Sequence, residues 1–358
     1  MAGSPYASAL GRFKALQPTL LPTEAYGPLV RAKDLSEILK LLEPTVYGPE
    51  IALAGTTYQG APALEVAINR LFVHRQQMLL ESASFAGKPL VEAYLRRWDI
   101  ENIGLILSAK SEGRPITETE SFLVSSREIP AGLFAGGMGL DDFRALLALP
   151  TTEAVATQLV RFGYGGVLLP LLETYQKTRD IFPLLAALQR DYYRRLLESA
   201  KFFQGDEWVI REFLRSEIDL KNVFLLLKGK AADLPLDVVL ERFLDGGDLG
   251  RDRVADLYNV RDVPELVAQL EGRYPALHEG LEGYAAEKSL VPFELALTRE
   301  RMVRELKRLR SFPLSVSILF TFLLLAELER ADLRKIVYGK LYGIAPAELE
   351  RSLLLGRP

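Results

Sequence analysis

The side chains of this chain best suited to chemistry recur as one pattern: an acid, an amide or second acid three residues on, and a lysine eleven residues after the first acid. A carboxylate and an amine on one helix face could transfer protons as general acid and base, or form ion pairs and cap helices. The pattern occurs three times, at intervals of roughly a third of the 358 residues. The three copies are Asp99, Asn102 and Lys110; Asp219, Asn222 and Lys230; and Glu329, Asp332 and Lys340.

A helix would place each acid at the head of an otherwise apolar face, because the residues between acid and lysine repeat at intervals of three and four. Burying an unpaired carboxylate is costly, so each acid needs a hydrogen-bond donor or a cation. Three catalytic carboxylates would need three pockets, and we therefore interpret the acids as caps and clamps between helices. An arginine of a neighbouring helix is the natural partner, and Arg12 is the candidate for Asp99.

Helical spacing dominates the rest of the chain and predicts an all-α protein. A second marker supports the repeat, since residues 29–43 resemble residues 257–271, and a weaker middle match covers residues 140–147. Each looks like the capped start of a helix. The sequence therefore predicts three similar helical domains, and their ranges are 1–117, 118–236 and 237–358.

Composition excludes several classes of function. The chain has no cysteine, which removes disulfides, thiol catalysis and thiolate metal sites, and its net charge of −3 gives no overall attraction for nucleic acid. It has no phosphate-binding loop motif and no His-Glu-x-x-His motif. The only histidines, His74 and His278, stand at non-equivalent positions of the repeat. We expect no catalytic site, no bound metal and no cofactor.

The apolar run 312–326 is the one stretch that resembles a membrane segment. It is about fifteen residues long, and a helix needs about 20 apolar residues to cross a bilayer. Glu327 and Glu329 follow it directly. We interpret it as a buried core helix; the alternative is a membrane anchor of an enzyme.

Two basic stretches allow either a solvated surface or a partner contact. In residues 299–310, Glu300 with Arg304 and Arg301 with Glu305 are spaced to pair along one helix face. Two arginines precede Trp98, and arginine and tryptophan are common at interface hot spots. The candidate partner contacts are Arg96, Arg97, Arg301, Arg304 and Arg308.

Several short motifs accompany the three copies of the acid pattern: Tyr6-Ala7 with Arg12, Ser36-Glu37 leading to Thr45–Gly48, Gly113, and Leu333-Arg334 before Gly339. In their order and spacing the chain resembles one known family, the C subunit of the archaeal and bacterial V-type (A-type) ATP synthases. The equivalent in the eukaryotic vacuolar ATPase is the d subunit.

The resemblance implies a non-catalytic rotor part, built as a funnel of three helical domains in pseudo-threefold order. It implies a place on the cytoplasmic face of the cell membrane, on the ring of proteolipid subunits, with the shaft subunits D and F in the funnel. Such a part would pass torque during ATP-coupled proton or sodium transport. The alternative is a helical-repeat scaffold of an unrelated assembly, which would add repeats in an open line instead of closing at three.

Overall fold

The computed structural model describes the backbone of residues 7–83, 87–114, 138–201 and 208–355. Within these ranges the secondary structure is helical and contains no strand, which confirms the all-α prediction. The α-helices in chain order are α1 (Ala7–Leu16), α2 (Tyr26–Arg31), α3 (Leu35–Leu42), α4 (Gly48–Gly55), α5 (Gly60–Ser82), α6 (Lys88–Leu95), α7 (Arg97–Ser111), α8 (Leu140–Ala148), α9 (Thr152–Gln158), α10 (Gly165–Leu168), α11 (Leu172–Thr178), α12 (Phe182–Lys201), α13 (Trp208–Ala231), α14 (Leu236–Glu241), α15 (Arg251–Tyr258), α16 (Val263–Leu270), α17 (Leu281–Glu287), α18 (Val291–Arg310), α19 (Ser317–Leu341) and α20 (Pro346–Ser352).

The capped helix starts predicted from the second marker are present. Asp34 and Asp262 each accept the backbone N–H three residues later, at 2.9 and 3.0 Å, and so cap α3 and α16. In the middle of the chain the same cap is made by Thr151, which begins α9. The middle match is therefore shifted from residues 140–147, which form the preceding helix α8. A threonine in place of an aspartate hid this start in the sequence.

The three helices that carry the acid pattern end in the same turn. Gly113, Asp233 and Gly343 have φ of 65°, 49° and 71°, the left-handed conformation that commonly ends a helix. In each turn this residue donates its N–H three residues back, and the next residue donates five residues back. This pair of hydrogen bonds is a common way to end a helix and also occurs at Gly163. Its position fourteen residues after each acid of the pattern agrees with the predicted repeat.

Substitutions in this turn should separate backbone strain from side-chain effects. We expect Gly343→Ala to lower the free energy of unfolding by about 1 kcal/mol, because a Cβ disfavours positive φ, and Asp233→Gly to relieve part of that strain at the equivalent position. Chemical denaturation of both variants measures the difference. Equal stability of Gly343→Ala and the wild type would contradict the strain argument.

Two compact units make up the structure, one of residues 1–155 with 312–358 and the other of residues 156–311. We call the three predicted domains, residues 1–117, 118–236 and 237–358, the first, second and third copy. In the first unit, α19 of the third copy packs on α5 of the first copy. In the second unit, α13 of the second copy packs on α18 of the third. In both units a long helix of one copy therefore packs into the core of the copy that follows it. The boundaries of the three domains stay a prediction.

The apolar run after residue 312 is a core segment, as predicted. Residues 317–326 of α19 are buried, and the helix packs on α1 and α5. Phe322 meets Phe13 edge to face at 6.2 Å between ring centroids, and Phe320 meets Tyr94 at 5.1 Å. None of the helices in the described ranges combines the length and hydropathy needed to cross a membrane.

Candidate functional site

Glu329 in α19 is enclosed in the first unit by three donors. Its Oε2 accepts the backbone N–H of Leu21 at 2.6 Å, and its Oε1 accepts the Tyr47 hydroxyl at 2.5 Å and Nη1 of Arg75 at 2.8 Å. The other terminal nitrogen of Arg75 donates to the carbonyl of Thr19. A helix of the third copy therefore fixes the backbone that enters the first copy.

Asp219 in α13 repeats this arrangement in the second unit. Its Oδ1 accepts the backbone N–H of Leu249 at 2.8 Å, and its Oδ2 accepts Nη2 of Arg273 at 2.8 Å. Leu249 lies thirteen residues before its capping aspartate, and Leu21 lies thirteen before Asp34. A Cβ on Gly247 would lie 2.1 Å from Oδ1, so only glycine lets this loop approach the acid. A helix of the second copy holds the start of the third.

The side chain at the second polar position of the pattern forms hydrogen bonds with backbone groups that lie later in the chain. Asn222 exchanges two hydrogen bonds with the backbone of Leu244, at 2.8 and 3.0 Å. Asp332 accepts the backbone N–H groups of Leu354 and Leu355 at 2.9 and 2.7 Å. In both copies this contact begins 22 residues after the polar side chain. Asn102 is buried, and the matching backbone of its copy lies outside the described residues.

Asp99 differs from its two counterparts. Its side chain is 0% exposed, yet within the described part of the chain neither carboxylate oxygen has a hydrogen-bond partner. The position equivalent to Leu21 and Leu249 is Met138, thirteen residues before Thr151, and its N–H does not bind Asp99. Burial raises the pKa of the Asp99 carboxyl to about 8, which nearby Asp142 also favours and Arg96 opposes.

Two of the three lysines of the pattern also contact the following copy. Lys110 donates to the carbonyl of Leu147 at 2.6 Å, and Nζ of Lys230 lies 4.2 Å from the centroid of the Tyr258 ring. Leu147 and Tyr258 each lie four residues before the cap of their copy. Lys340 is half-buried. Lys110 and Lys230 make contacts at equivalent places, which favours the structural interpretation of the pattern over proton transfer.

The arginines of α18 are used within the second unit. Arg301 pairs with Glu217 of α13 at 3.4 Å and does not make the predicted pair with Glu305. Glu305 is fully buried and pairs instead with Arg304 and Arg308, at 3.3 and 3.1 Å. The predicted pair of Arg304 with the glutamate four residues earlier is present at 3.4 Å. These three arginines stabilise the packing of α18, and their contact with a partner stays a prediction.

Arg96 and Arg97 have different surroundings. Arg96 is exposed, whereas Arg97 stacks over the Tyr94 ring at 4.4 Å and lies 3.5 Å from a carboxylate oxygen of Glu327. Trp98 is buried and meets the Phe72 ring edge to face at 5.3 Å. A partner contact stays a prediction for both arginines. The side chain of Arg12 lies outside the described residues, so its pairing with Asp99 also stays a prediction.

Two cavities lie in the second unit. One of about 220 Å³ beside Asp219 is lined by three acids and three arginines. Arg273 pairs there with Asp219 and Asp248, whereas the other two arginines pair with Glu305 outside the lining. The other, of about 650 Å³, is lined by apolar groups of α12 with charged residues around them. In the described ranges no three His, Asp or Glu side chains group as metal ligands. His74 is exposed, and His278 pairs with Glu271.

The donors that enclose the acids were not predicted from the sequence. Tyr47 and Arg75 bind Glu329, and Arg273 binds Asp219. One signal was available, because Tyr47 and Tyr274 follow their capping aspartates by 13 and 12 residues. The contact is only partly shared, because the Tyr47 hydroxyl donates to Glu329 whereas the Tyr274 hydroxyl makes no hydrogen bond to Asp219.

The buried acids, the shared turns and the helix packing define an all-helical protein, in its described residues, whose acid-bearing helices bind backbone from distant parts of the chain. The family model for the ATP synthase (C/AC39) subunit matches residues 9–352. The chain therefore belongs to the ATP synthase (C/AC39) subunit family, which confirms the family that the sequence motifs indicated.

Curated relatives agree with this family over nearly full length. The C subunit of the A-type ATP synthase of Thermoplasma acidophilum is 34% identical over 352 residues, which cover 98% of each chain. The protein of the same name from Thermoplasma volcanium is 34% identical over 354 residues, again 98% of each chain. That of Methanocaldococcus jannaschii is 26% identical, over 98% of this chain and 86% of the relative.

Proposed function

We propose that this protein is the non-catalytic rotor socket of an A-type ATP synthase. It receives the central shaft of subunits D and F and sits on the membrane ring of proteolipid subunits at the cytoplasmic face. It passes torque between the ATP-handling head and the ring that carries protons or sodium ions. The family membership of the chain is the observation that carries this proposal.

The pattern of buried acids supports a closed arrangement of the three copies. Asp219 of the second copy binds the start of the third, and Glu329 of the third binds the start of the first. An open line of repeats would leave the last helix without a following copy to hold. The acid-bearing helix of the third copy, α19, holds the first copy, as the proposed closure at three copies requires.

The nature of the contacts supports a mechanical role. Torque has to pass through a part that does not yield, and packed helices joined by buried hydrogen bonds supply that stiffness. Two of the three buried acids, Glu329 and Asp219, accept hydrogen bonds from backbone N–H groups and from arginines. They are therefore unavailable for proton transfer to a substrate.

Assembly and coupling test the proposal. We expect the purified chain to form a stable complex with subunits D and F and to join the detergent-solubilised ring, as measured by gel filtration with light scattering. In a reconstituted synthase that lacks this chain, we expect the head to hydrolyse ATP without ion transport, because no part connects shaft and ring. Adding the chain back should restore transport, measured with a pH- or sodium-sensitive dye in vesicles.

A cross-linking experiment tests whether the part turns. Because the chain has no cysteine, one introduced cysteine gives a unique site for a tether. Cross-linking to the shaft should leave coupled activity intact, whereas cross-linking to a stationary subunit should stop it until the tether is reduced. Full activity with the chain tethered to a stationary subunit would contradict the rotor role and favour a stationary scaffold.

A further inference from the structure

The cavity of about 220 Å³ beside Asp219 is lined by a buried hydroxyl group that has no hydrogen-bond partner in the described part of the chain. This hydroxyl belongs to Tyr274, which is only 6% exposed. Burial of a hydroxyl without a partner costs free energy, so such groups are normally bound by protein or by ordered water. The Tyr274 hydroxyl therefore indicates that the cavity takes a ligand.

The corresponding tyrosine of the first unit has a carboxylate as its partner. Tyr47 follows its capping aspartate by 13 residues and Tyr274 by 12, and the Tyr47 hydroxyl donates to Glu329 at 2.5 Å. Asp219 takes the place of Glu329 and is shorter by one methylene group. A Cβ on Gly247 would lie 2.1 Å from its Oδ1, so the carboxylate of Asp219 is held against this loop. The tyrosine hydroxyl of the second unit is left without the direct bond.

An arginine of the first unit also has a counterpart that lines the cavity. Glu65 of α5 and Glu294 of α18 each contact the residue nine positions after the acid of the helix packed on them. Arg75 and Arg304 each follow that glutamate by ten residues. Arg75 binds the acid of its unit at 2.8 Å, whereas Arg304 lines the cavity and donates to Ser216 at 3.1 Å. The cavity therefore lies among the counterparts of a tyrosine, an arginine and a carboxylate that meet directly in the first unit.

The charges around the cavity favour a neutral ligand. Three arginines and three acids line it, and the buried Glu305 adds a negative charge beside Arg304 and Arg308. An anion would therefore meet no excess of positive charge, and a cation would meet three guanidinium groups. A water molecule can donate to a carboxylate while it accepts from a hydroxyl or a guanidinium group. The volume is several times the share of one water molecule in the liquid, about 30 Å³.

We propose that this cavity is a built-in water site, in which ordered water molecules bridge the Tyr274 hydroxyl and Arg304 to the carboxylate of Asp219. The water replaces the direct hydrogen bonds that Glu329 makes with Tyr47 and Arg75. The second unit thus completes through water the contact that the first unit makes directly. This site does not depend on the proposed rotor role.

Removing the tyrosine hydroxyl tests the water site, because the direction of the effect depends on what the hydroxyl binds. We expect Tyr274→Phe to lower the melting temperature by roughly 1–3 °C, since the bridging water loses a partner. A hydroxyl without any partner would give the opposite result, because its removal takes away a desolvated polar group. A melting temperature that stays the same or rises would therefore overturn the inference. Tyr47→Phe is the matched control and should lower the melting temperature further, because its hydroxyl binds a carboxylate.

A crystal structure of the full chain, at a resolution that shows ordered water, identifies the ligand directly. Crystals grown with sodium bromide distinguish water from an anion, because bromide scatters anomalously. We expect density for water within hydrogen-bond distance of the Tyr274 hydroxyl and of Asp219, without an anomalous peak. In crystals of Tyr274→Phe the water next to the ring should be lost. An anomalous peak in the cavity, a direct bond between the Tyr274 hydroxyl and a carboxylate, or a cavity without density would each overturn the inference.

Discussion

Replacing Glu329 by glutamine should lower the free energy of unfolding by about 3–5 kcal/mol, the largest loss expected from a single side chain in this protein. The substitution leaves the buried guanidinium of Arg75 without its counter-charge and weakens the bond from Leu21. Denaturant unfolding followed by circular dichroism measures the change. Because Leu21 lies at the start of the first copy, protection of α2 and α3 from hydrogen exchange should fall as well.

A double-substitution cycle distinguishes the charge from the packing. Arg75→Met alone should also destabilise strongly, since it leaves a buried carboxylate with fewer donors. Arg75→Met combined with Glu329→Gln removes both charges and should recover part of the loss. Additive losses in the double variant would show that the two side chains do not act as a pair.

Replacing Asp99 by asparagine should have the opposite effect and stabilise the protein at neutral pH, by about 2–5 kcal/mol. The pKa of this carboxyl is raised to about 8 by burial, so the folded protein retains a proton that the unfolded chain releases above pH ~4. The contribution of the Asp99 carboxyl to the free energy of unfolding of the wild type should therefore be largest at acid pH. It should lose that contribution progressively as the pH rises from about 4 to about 8.

Unfolding of Asp99→Asn and of the wild type at pH 4.5, 6 and 8 checks this prediction. The gap between the two proteins should widen with pH, because an amide does not titrate in this range. A wild-type stability that does not fall between pH 4.5 and 8 would contradict the raised pKa and indicate that a cation pairs with the carboxylate, and Arg12→Ala would then test that arginine. Equivalent positions of the repeat would thus respond in opposite directions, since Glu329 has donors and Asp99 has none in the described chain.

The sequence predicted those features that depend on neighbours along one helix. Apolar spacing predicted that Asp99, Asp219 and Glu329 would face a helical core, and all three are buried. The capped starts at Asp34 and Asp262 were recognised from a few adjacent residues. The apolar run after residue 312 was recognised as a core helix from its length and its closing acids.

The donors could not be predicted in the same way, because they come from distant parts of the chain. Glu329 and Leu21 are separated by 308 residues, and Arg75 is 254 residues from Glu329. Periodicity along one helix carries no information about such pairs. The error at Arg301 has the same origin, since its spacing to Glu305 suggested a pair within α18 and the nearer carboxylate belongs to α13.

The packing of α19 on α1 and α5 has a consequence for synthesis of the protein. The first 82 residues leave the ribosome long before residues 317–341 exist, so the helices at the amino end cannot complete their core during most of translation. The apolar faces that later meet α19 remain without their partner until the final stretch emerges. We therefore expect α1 and α5 to stay incompletely packed until α19 has been made, and a truncation that removes α19 to destabilise these two helices first.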